Sequence, residues 1–327
     1  MIGLPFDVNN IFSLSTGQFD TVCMAVFQYQ YQFNPVYRKW CDLTGQTPAT
    51  VETLVQIPSL PVSFFKQETI LTELTATHYF ESSGTTQTRN SRHWVPDLDV
   101  YRKSFNKAFR LFYGTVTDWC ILALLPAYLE RQHSSLVMMA DELIKNSKHP
   151  QSGFYLYDHE RLNNTLSLLE KSGQKTLLLG VTFALLDFAE AFPQHLQHTI
   201  VMETGGMKGR RKEMTRAEVH QVLSNKLGVN SIHSEYGMTE LLSQAYSKGE
   251  GLFECPPWMK IMVRDEEDPL SEGAIGRGVI RVIDLANLYS CSFIDTEDLG
   301  QVYSDGRFEV WGRLDHSDIR GCSLMVV

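Results

Sequence analysis

Three short stretches carry residue types suited to phosphate and nucleotide chemistry. Ser82-Ser83-Gly84-Thr85-Thr86 packs four hydroxyls and one glycine into five positions. Gly84 lets a ligand approach the backbone, and N–H and hydroxyl groups around it can cradle an oxyanion. Taken alone, the stretch reads equally well as a turn or helix cap. It is no Walker A loop, because G-x-x-x-x-G-K-[ST] is absent. Tyr236-Gly237-Met238-Thr239-Glu240 follows a strand-like run. There Gly237 allows a sharp turn, Thr239 offers a hydroxyl and Glu240 a hard oxygen for Mg²⁺, although a strand-end turn explains the same residues. In the third stretch, Thr296-Glu297-Asp298-Leu299-Gly300 precedes Asp305-Gly306-Arg307 and Gly312-Arg313-Leu314-Asp315. Asp298, ending a strand, can accept from ribose hydroxyls, and Arg313 can reach the same ribose or a phosphate. A surface Arg–Asp pair is the plainer alternative.

The elements that must position these residues alternate. Asp97 or Asp99 caps a helix through Phe105, Ala108, Phe109 and Phe112, and Cys120–Leu125 is a continuous apolar run expected of a strand buried on both faces. Helix is expected over Ser134–Asn146, Arg161–Lys171 and Phe183–Phe192, and strand over Gly153–Tyr157, Thr176–Val181, His198–Glu203 and Ser231–Tyr236. Thr215-Arg216-Ala217-Glu218 is a capping box whose helix Gly228 terminates. Such alternation implies a parallel sheet covered by helices on both sides. After about residue 255, glycines separate short β-rich runs, suggesting a smaller antiparallel sheet or distorted barrel, with Asp305-Gly306 as a hairpin turn. Residues 1–75 read as an irregular, helix-rich lead-in to the main domain, whose aromatics at 27–40 belong to the core. The α/β core is placed at 76–254 and the β-rich subdomain at 255–327.

Composition narrows the function. With 327 residues, 43% of them hydrophobic, the chain can bury a large core. A net charge of −9 argues against a nucleic-acid partner. The run Cys120 to Leu129 is half the roughly twenty residues a membrane span needs, and no secretory layout opens the chain, so a cytoplasmic protein with reduced thiols is expected. Six cysteines, at 23, 41, 120, 255, 291 and 322, show no zinc-ligand spacing.

Together, in this order and spacing, the three stretches resemble the adenylate-forming superfamily of acyl-CoA synthetases, luciferases and adenylation domains. Serines and threonines 82–86 match its phosphate loop. Tyr236–Glu240 matches Y-G-x-T-E, Thr296–Gly300 matches T-G-D-L-G, and Gly312–Asp315 matches the G-R-x-D hinge. Gly205-Gly206 falls where the family places a glycine-rich strand end by the nucleotide. The resemblance implies an α/β large N-terminal domain that binds ATP and Mg²⁺ without the mobile C-terminal domain. It covers about residues 57–322. The segments IPSLPVSFFK, LPAYLER and HSEYGMTELLSQAY, with the ending DIRGCSLMVV, resemble the acyl-protein synthetases of bacterial luminescence. That branch implies a carboxylic, fatty acid substrate, a thioester on Cys322, and a reductase-like protein that accepts the acyl group. Transfer to coenzyme A or a carrier protein, or a degenerate binding module, are the alternatives. The departures are Gln87 and Asn90 where the family has Gly and Lys, and Glu297 where it has Gly; Arg89 or Arg92 is a candidate replacement cation. His133, beyond LPAYLER, reads as a solvent-facing loop histidine.

Overall fold

A computed structural model describes residues 7–15, 17–72, 75–82, 90–125, 133–205, 214–268, 270–271 and 273–314. The first strands in chain order are β1 (Leu60–Pro61), β2 (His78–Glu81), β3 (Arg92–Val95), β4 (Cys120–Leu124), β5 (Gly153–Phe154), β6 (Thr176–Gly180) and β7 (Thr199–Glu203). They are followed by β8 (His233–Tyr236), β9 (Ala245–Ser247), β10 (Phe253–Glu254), β11 (Met259–Arg264), β12 (Gly276–Asp284), β13 (Phe293–Val302) and β14 (Phe308–Arg313). Helices α1 (Val8–Ile11), α2 (Phe19–Phe33) and α3 (Pro35–Thr44) form the lead-in. Helices α4 (Leu98–Tyr113), α5 (Ser135–Ser147), α6 (His159–Ser172), α7 (Thr182–Ala191) and α8 (Arg216–Leu227) alternate with the central strands.

Strands β5, β4, β6, β7 and β8 lie side by side in that order and run parallel. All five residues of β4, and all five of β6, are buried, as their unbroken apolar sequence requires. Alternate side chains serve two cores. Ile121, Ala123, Leu177 and Leu179 pack toward α2, α4 and α5, whereas Leu122, Leu124 and Leu178 pack toward α6, α7 and α8. Capping fixes where helices begin. Asp97 accepts from the Asp99 N–H, and Thr215 and Glu218 form a reciprocal capping box on α8, each cap contributing about 1 kcal/mol.

The β-rich region joins this sheet edge to edge. Strand β9 pairs antiparallel with β8 and with β10, and β10 leads through β14, β13 and β12 to β11. Strand β1 lies parallel to β13, with Leu60 opposite Ile294, so the lead-in is sewn into the far half of the sheet. Gln30 of α2, fully buried, donates to the carbonyls of Asn287 and Leu288 and accepts from the Ser292 N–H. Phe27, Tyr37 and Phe293 meet in the core beneath it. The aromatics of the lead-in are therefore core residues. No described helix is long and apolar enough to cross a membrane.

Candidate nucleotide-binding site

The site lies where the parallel strands end and the antiparallel strands begin. Strand β8 delivers Tyr236, whose ring is buried against Phe253 and Phe308 and whose hydroxyl donates to Asp298 Oδ2 at 2.9 Å. Asp298 sits on β13 directly opposite Arg313 on β14, and Arg313 Nε donates to Asp298 Oδ1 at 3.3 Å. Two residues from two other strands, 62 and 15 positions from Asp298, thus converge on its carboxylate. Thr296 explains its own place in the motif: its hydroxyl donates to the Ile280 carbonyl and accepts from the Asp298 N–H. Gly300 is needed by space, since a Cβ there would lie 2.1 Å from the Glu309 carbonyl of the neighbouring strand. Arg313 keeps about half of its side chain in solvent, at 54%, and can turn toward a bound anion.

Beyond Tyr236 the chain turns through Gly237, Met238, Thr239 and Glu240. Gly237 does not adopt a left-handed conformation. Its value is room, because a Cβ would meet Glu235 Oε1 at 2.4 Å. Glu240 is 4% exposed, and burial pushes its carboxyl up, opposed by the Ser91 hydroxyl and by the fields of Arg313 and Lys66. Its backbone carbonyl accepts from Asn287 Nδ2 at 2.7 Å. The Thr239 carbonyl accepts from Nδ1 of His93, a fully buried residue of β3.

Strands β2 and β3, which flank the hydroxyl-rich stretch in sequence, pair antiparallel. At the end of this pair the Ser82 N–H donates to the Ser91 carbonyl and the Ser91 N–H donates to Ser82 Oγ. Since Ser91 also serves Glu240, the neck of the loop and the candidate magnesium ligand meet. Asn90 and Arg92 both donate to the Glu81 carboxylate at the base of the hairpin, and Arg92 also covers the Tyr79 ring. Arg92 is thereby committed to structure. His133 is exposed, stacked on Tyr79 at 4.1 Å, and its carbonyl accepts from the Glu81 N–H.

Several supporting residues had no motif to announce them. Glu203, ending β7, accepts from Thr182 Oγ1, the Gly205 N–H and Arg216 Nε. Burial resists its charge, but His220, Arg216, Ser234 and the Gly205 N–H outweigh that and hold the carboxyl at about 2. Gly205, left-handed at φ 73°, thus spends its N–H on Glu203 and its carbonyl on the Thr182 N–H. Asp284, fully buried at the end of β12, accepts from the N–H groups of Leu242, Ser243 and Ala286 and from the Ser243 hydroxyl. Burial pushes it up to about 6 against those donors, so it is charged at neutral pH. Glu235, on the face of β8 opposite Tyr236, is pushed up to about 8 by burial and by the Glu203 charge.

Of the residues expected from sequence, Tyr236, Gly237, Met238, Thr239, Glu240, Asp298 and Arg313 lie in this one region, with Ser82 at the loop neck and Gly205 at the end of β7. Ser83, Gly84, Thr85, Thr86, Gly206, Arg89 and Cys322 fall outside the described residues. The five described cysteines are free thiols.

No family model matches the chain. It is 24% identical to the long-chain-fatty-acid–luciferin-component ligase of Vibrio harveyi, over 92% of this chain and 85% of that protein. Among solved structures, 2-hydroxyisobutyryl-CoA ligase in its postadenylation state is similar over 96% of this chain and 72% of its own, with a TM-score of 0.61 and 10% identity. ATP-bound MatB from Rhodopseudomonas palustris is similar over 72% of this chain with a TM-score of 0.54 and 15% identity. The chain spans about half of MatB, 47% of its length. These two structures bear on the fold alone. Over nearly its full length the chain is therefore similar to a long-chain-fatty-acid ligase, and its fold is similar to that of 2-hydroxyisobutyryl-CoA ligase and MatB.

Proposed function

We propose that the chain uses ATP to activate a carboxylic acid, a long-chain fatty acid by analogy with its Vibrio relative, as the acyl-adenylate. The acyl group then passes to the Cys322 thiol and on to a reductase-like partner protein. The observation that carries the reading is the convergence of Tyr236, Asp298 and Arg313 beside Glu240 and the neck of the hydroxyl loop.

The chemistry follows from these positions. A carboxylate is a poor electrophile, so its oxygen attacks the α-phosphorus of ATP and pyrophosphate leaves with the bonding electrons. Asp298 accepts from the ribose hydroxyls and so fixes the nucleoside, with Tyr236 and Thr296 holding its carboxylate in place. Arg313 turns from Asp298 toward the phosphate as negative charge shifts there. Among the described residues no group of three or more His, Cys, Asp or Glu is placed to cage a metal. That suits Mg²⁺, which is commonly held by one or two carboxylates together with substrate phosphates and water. Glu240 would be its protein ligand, and the ion would supply charge neutralisation on the phosphates. Acyl transfer needs Cys322 as the thiolate, which attacks the acyl carbon and expels AMP.

Intact-protein mass spectrometry after incubation with Mg-ATP and a panel of acids tests the reading. An acyl adduct that maps to Cys322, is released by neutral hydroxylamine and is absent from C322S is the expected result. Pyrophosphate exchange with no adduct would replace it by transfer to coenzyme A or a carrier protein. Absence of both would leave a binding module.

A further inference from the structure

A cation beside this site comes from the lead-in, at the end of the segment IPSLPVSFFK and 16 positions before Ser82. The segment Val62–Lys66 is a 3₁₀ turn that follows β1, and β1 runs parallel beside β13. The turn packs against both β13, which carries Asp298, and β3, which carries His93. Phe65 anchors it: the side chain is 1% exposed and its ring meets His93 edge-on at 5.6 Å. His93 in turn holds the Thr239 carbonyl. The next residue, Lys66, is half-buried, and its positive field falls on Glu240.

The neighbouring cations are already engaged. Arg92 is paired with Glu81 at 3.0 Å, and Arg216 donates to Glu203 and to the Val310 carbonyl. Arg313 is on Asp298. Lys66 has no hydrogen bond or ion pair among the described residues. Of the two cations whose fields reach Glu240, Arg313 is held by Asp298, which leaves Lys66 for a bound phosphate to engage. The sequence also has Asn90 where the family's loop has lysine, and Asn90 is spent on Glu81.

We propose that Lys66 is a catalytic residue of the adenylation step, its ammonium donating hydrogen bonds to the triphosphate of ATP beside Glu240. This rests on the reading of the chain as an adenylate-forming ligase. The acid's carboxylate oxygen forms the new bond to the α-phosphorus, the bond to the bridging oxygen breaks, and pyrophosphate departs with its electron pair. Lys66 stays protonated throughout and loses no proton. It neutralises charge that moves onto the phosphate oxygens, where a preorganised charged donor is worth most.

The test measures acid-dependent ATP–pyrophosphate exchange, calorimetric binding of Mg-ATP and of adenosine, and urea unfolding, on the wild type, K66Q and K66R. K66Q is expected to lose about 100-fold in kcat/KM for exchange and to bind Mg-ATP at least tenfold more weakly. It should bind adenosine and unfold as the wild type does, and K66R should recover part of the exchange rate. A K66Q that exchanges at the wild-type rate overturns the proposal. So does one that loses ATP and adenosine binding equally, or one whose loss tracks a lower unfolding free energy and is not relieved in K66R. A wild type that binds Mg-ATP but exchanges with no acid defeats the ligase reading itself, and a change in ATP binding in K66Q then no longer concerns catalysis.

Discussion

Replacing His93 by asparagine isolates one tether of the loop that follows β8. The imidazole is fully buried, its Nδ1–H donates to the Thr239 carbonyl at 2.9 Å, and Phe65 and Phe80 meet its ring edge-on. Burial lowers its pKa from 6.5 to about 4, against the Thr239 carbonyl and Asn287, which favour the proton. The folded value lies below the unfolded one, so between these limits the unfolded chain binds more protons. Stability from neutral His93 is complete above the unfolded pKa of about 6.5 and is lost as pH falls toward 4. A shift of this size corresponds to about 3 kcal/mol over the whole window, most of it gone by a pH of about 4.5.

Asparagine can place an amide donor near the Nδ1 position but does not titrate. H93N should cost about 1–2 kcal/mol at neutral pH through lost ring packing. Its further loss on acidification should be smaller than the wild type's by about 2–3 kcal/mol. Urea unfolding followed by tryptophan fluorescence, at neutral pH and at a pH of about 4.5, gives both free energies, and equal m-values in the two proteins secure the comparison. His233, also lowered to about 4 by burial and by Lys248, and the buried carboxylates titrate alike in both, so the double difference removes them. If H93N loses as much on acidification as the wild type, His93 is not the buried neutral tether described here.

Three other perturbations probe the same site. D298N keeps the shape but turns one acceptor for Tyr236 and Arg313 into a donor; Mg-ATP binding by calorimetry should weaken about 10- to 100-fold, with Y236F weakening it less. D284N leaves buried N–H groups of the 242–243 turn without a charged acceptor; urea unfolding should show a loss of about 2–4 kcal/mol. For Glu235 the folded pKa, about 8, lies above the ordinary 4.5, so wild-type stability falls as pH rises through that interval. E235Q should therefore melt higher than the wild type at a pH of about 9 and lose that advantage at a pH of about 4, and an equal difference at both would contradict the assignment.

The sequence reveals those features whose physics is local. The runs at β4 and β6 read as doubly buried strands because every residue is apolar, and the caps at Asp97 and Thr215 act within three positions. Tyr236–Glu240 and Thr296–Gly300 are legible because a strand end and its following turn must place their groups within one loop. Glu203, Asp284, His93 and Lys66 are not, because each acts across the sheet. Asp284 reaches back 42 positions to Leu242, and His93 forward 146 to Thr239. An isolated acid at a strand end or a single histidine in a strand carries no pattern that distinguishes it from a surface residue. Gly237 is a subtler case: its glycine signal is real, but the cause is the Glu235 carboxylate beside it rather than backbone conformation.

These distant residues share a purpose. Between Tyr236 and Ser243 the chain is tied by the Tyr236 hydroxyl to Asp298, the Thr239 carbonyl to His93, the Glu240 carbonyl to Asn287, and two N–H groups to Asp284. Burying Asp284 and Asp298 costs desolvation energy that their hydrogen bonds only partly offset, so such groups are poor investments for stability alone. Their return is geometric. Under the proposed function, a loop that presents Tyr236, Thr239 and Glu240 to one nucleotide gains more from arriving ordered than from a few tenths of a kcal/mol, because ordering it on binding would subtract from affinity. The tethers come from β3, β12 and β13 and from the turn after β12, elements spread over 200 positions of sequence. The antiparallel strands therefore act as the frame that aims the end of β8.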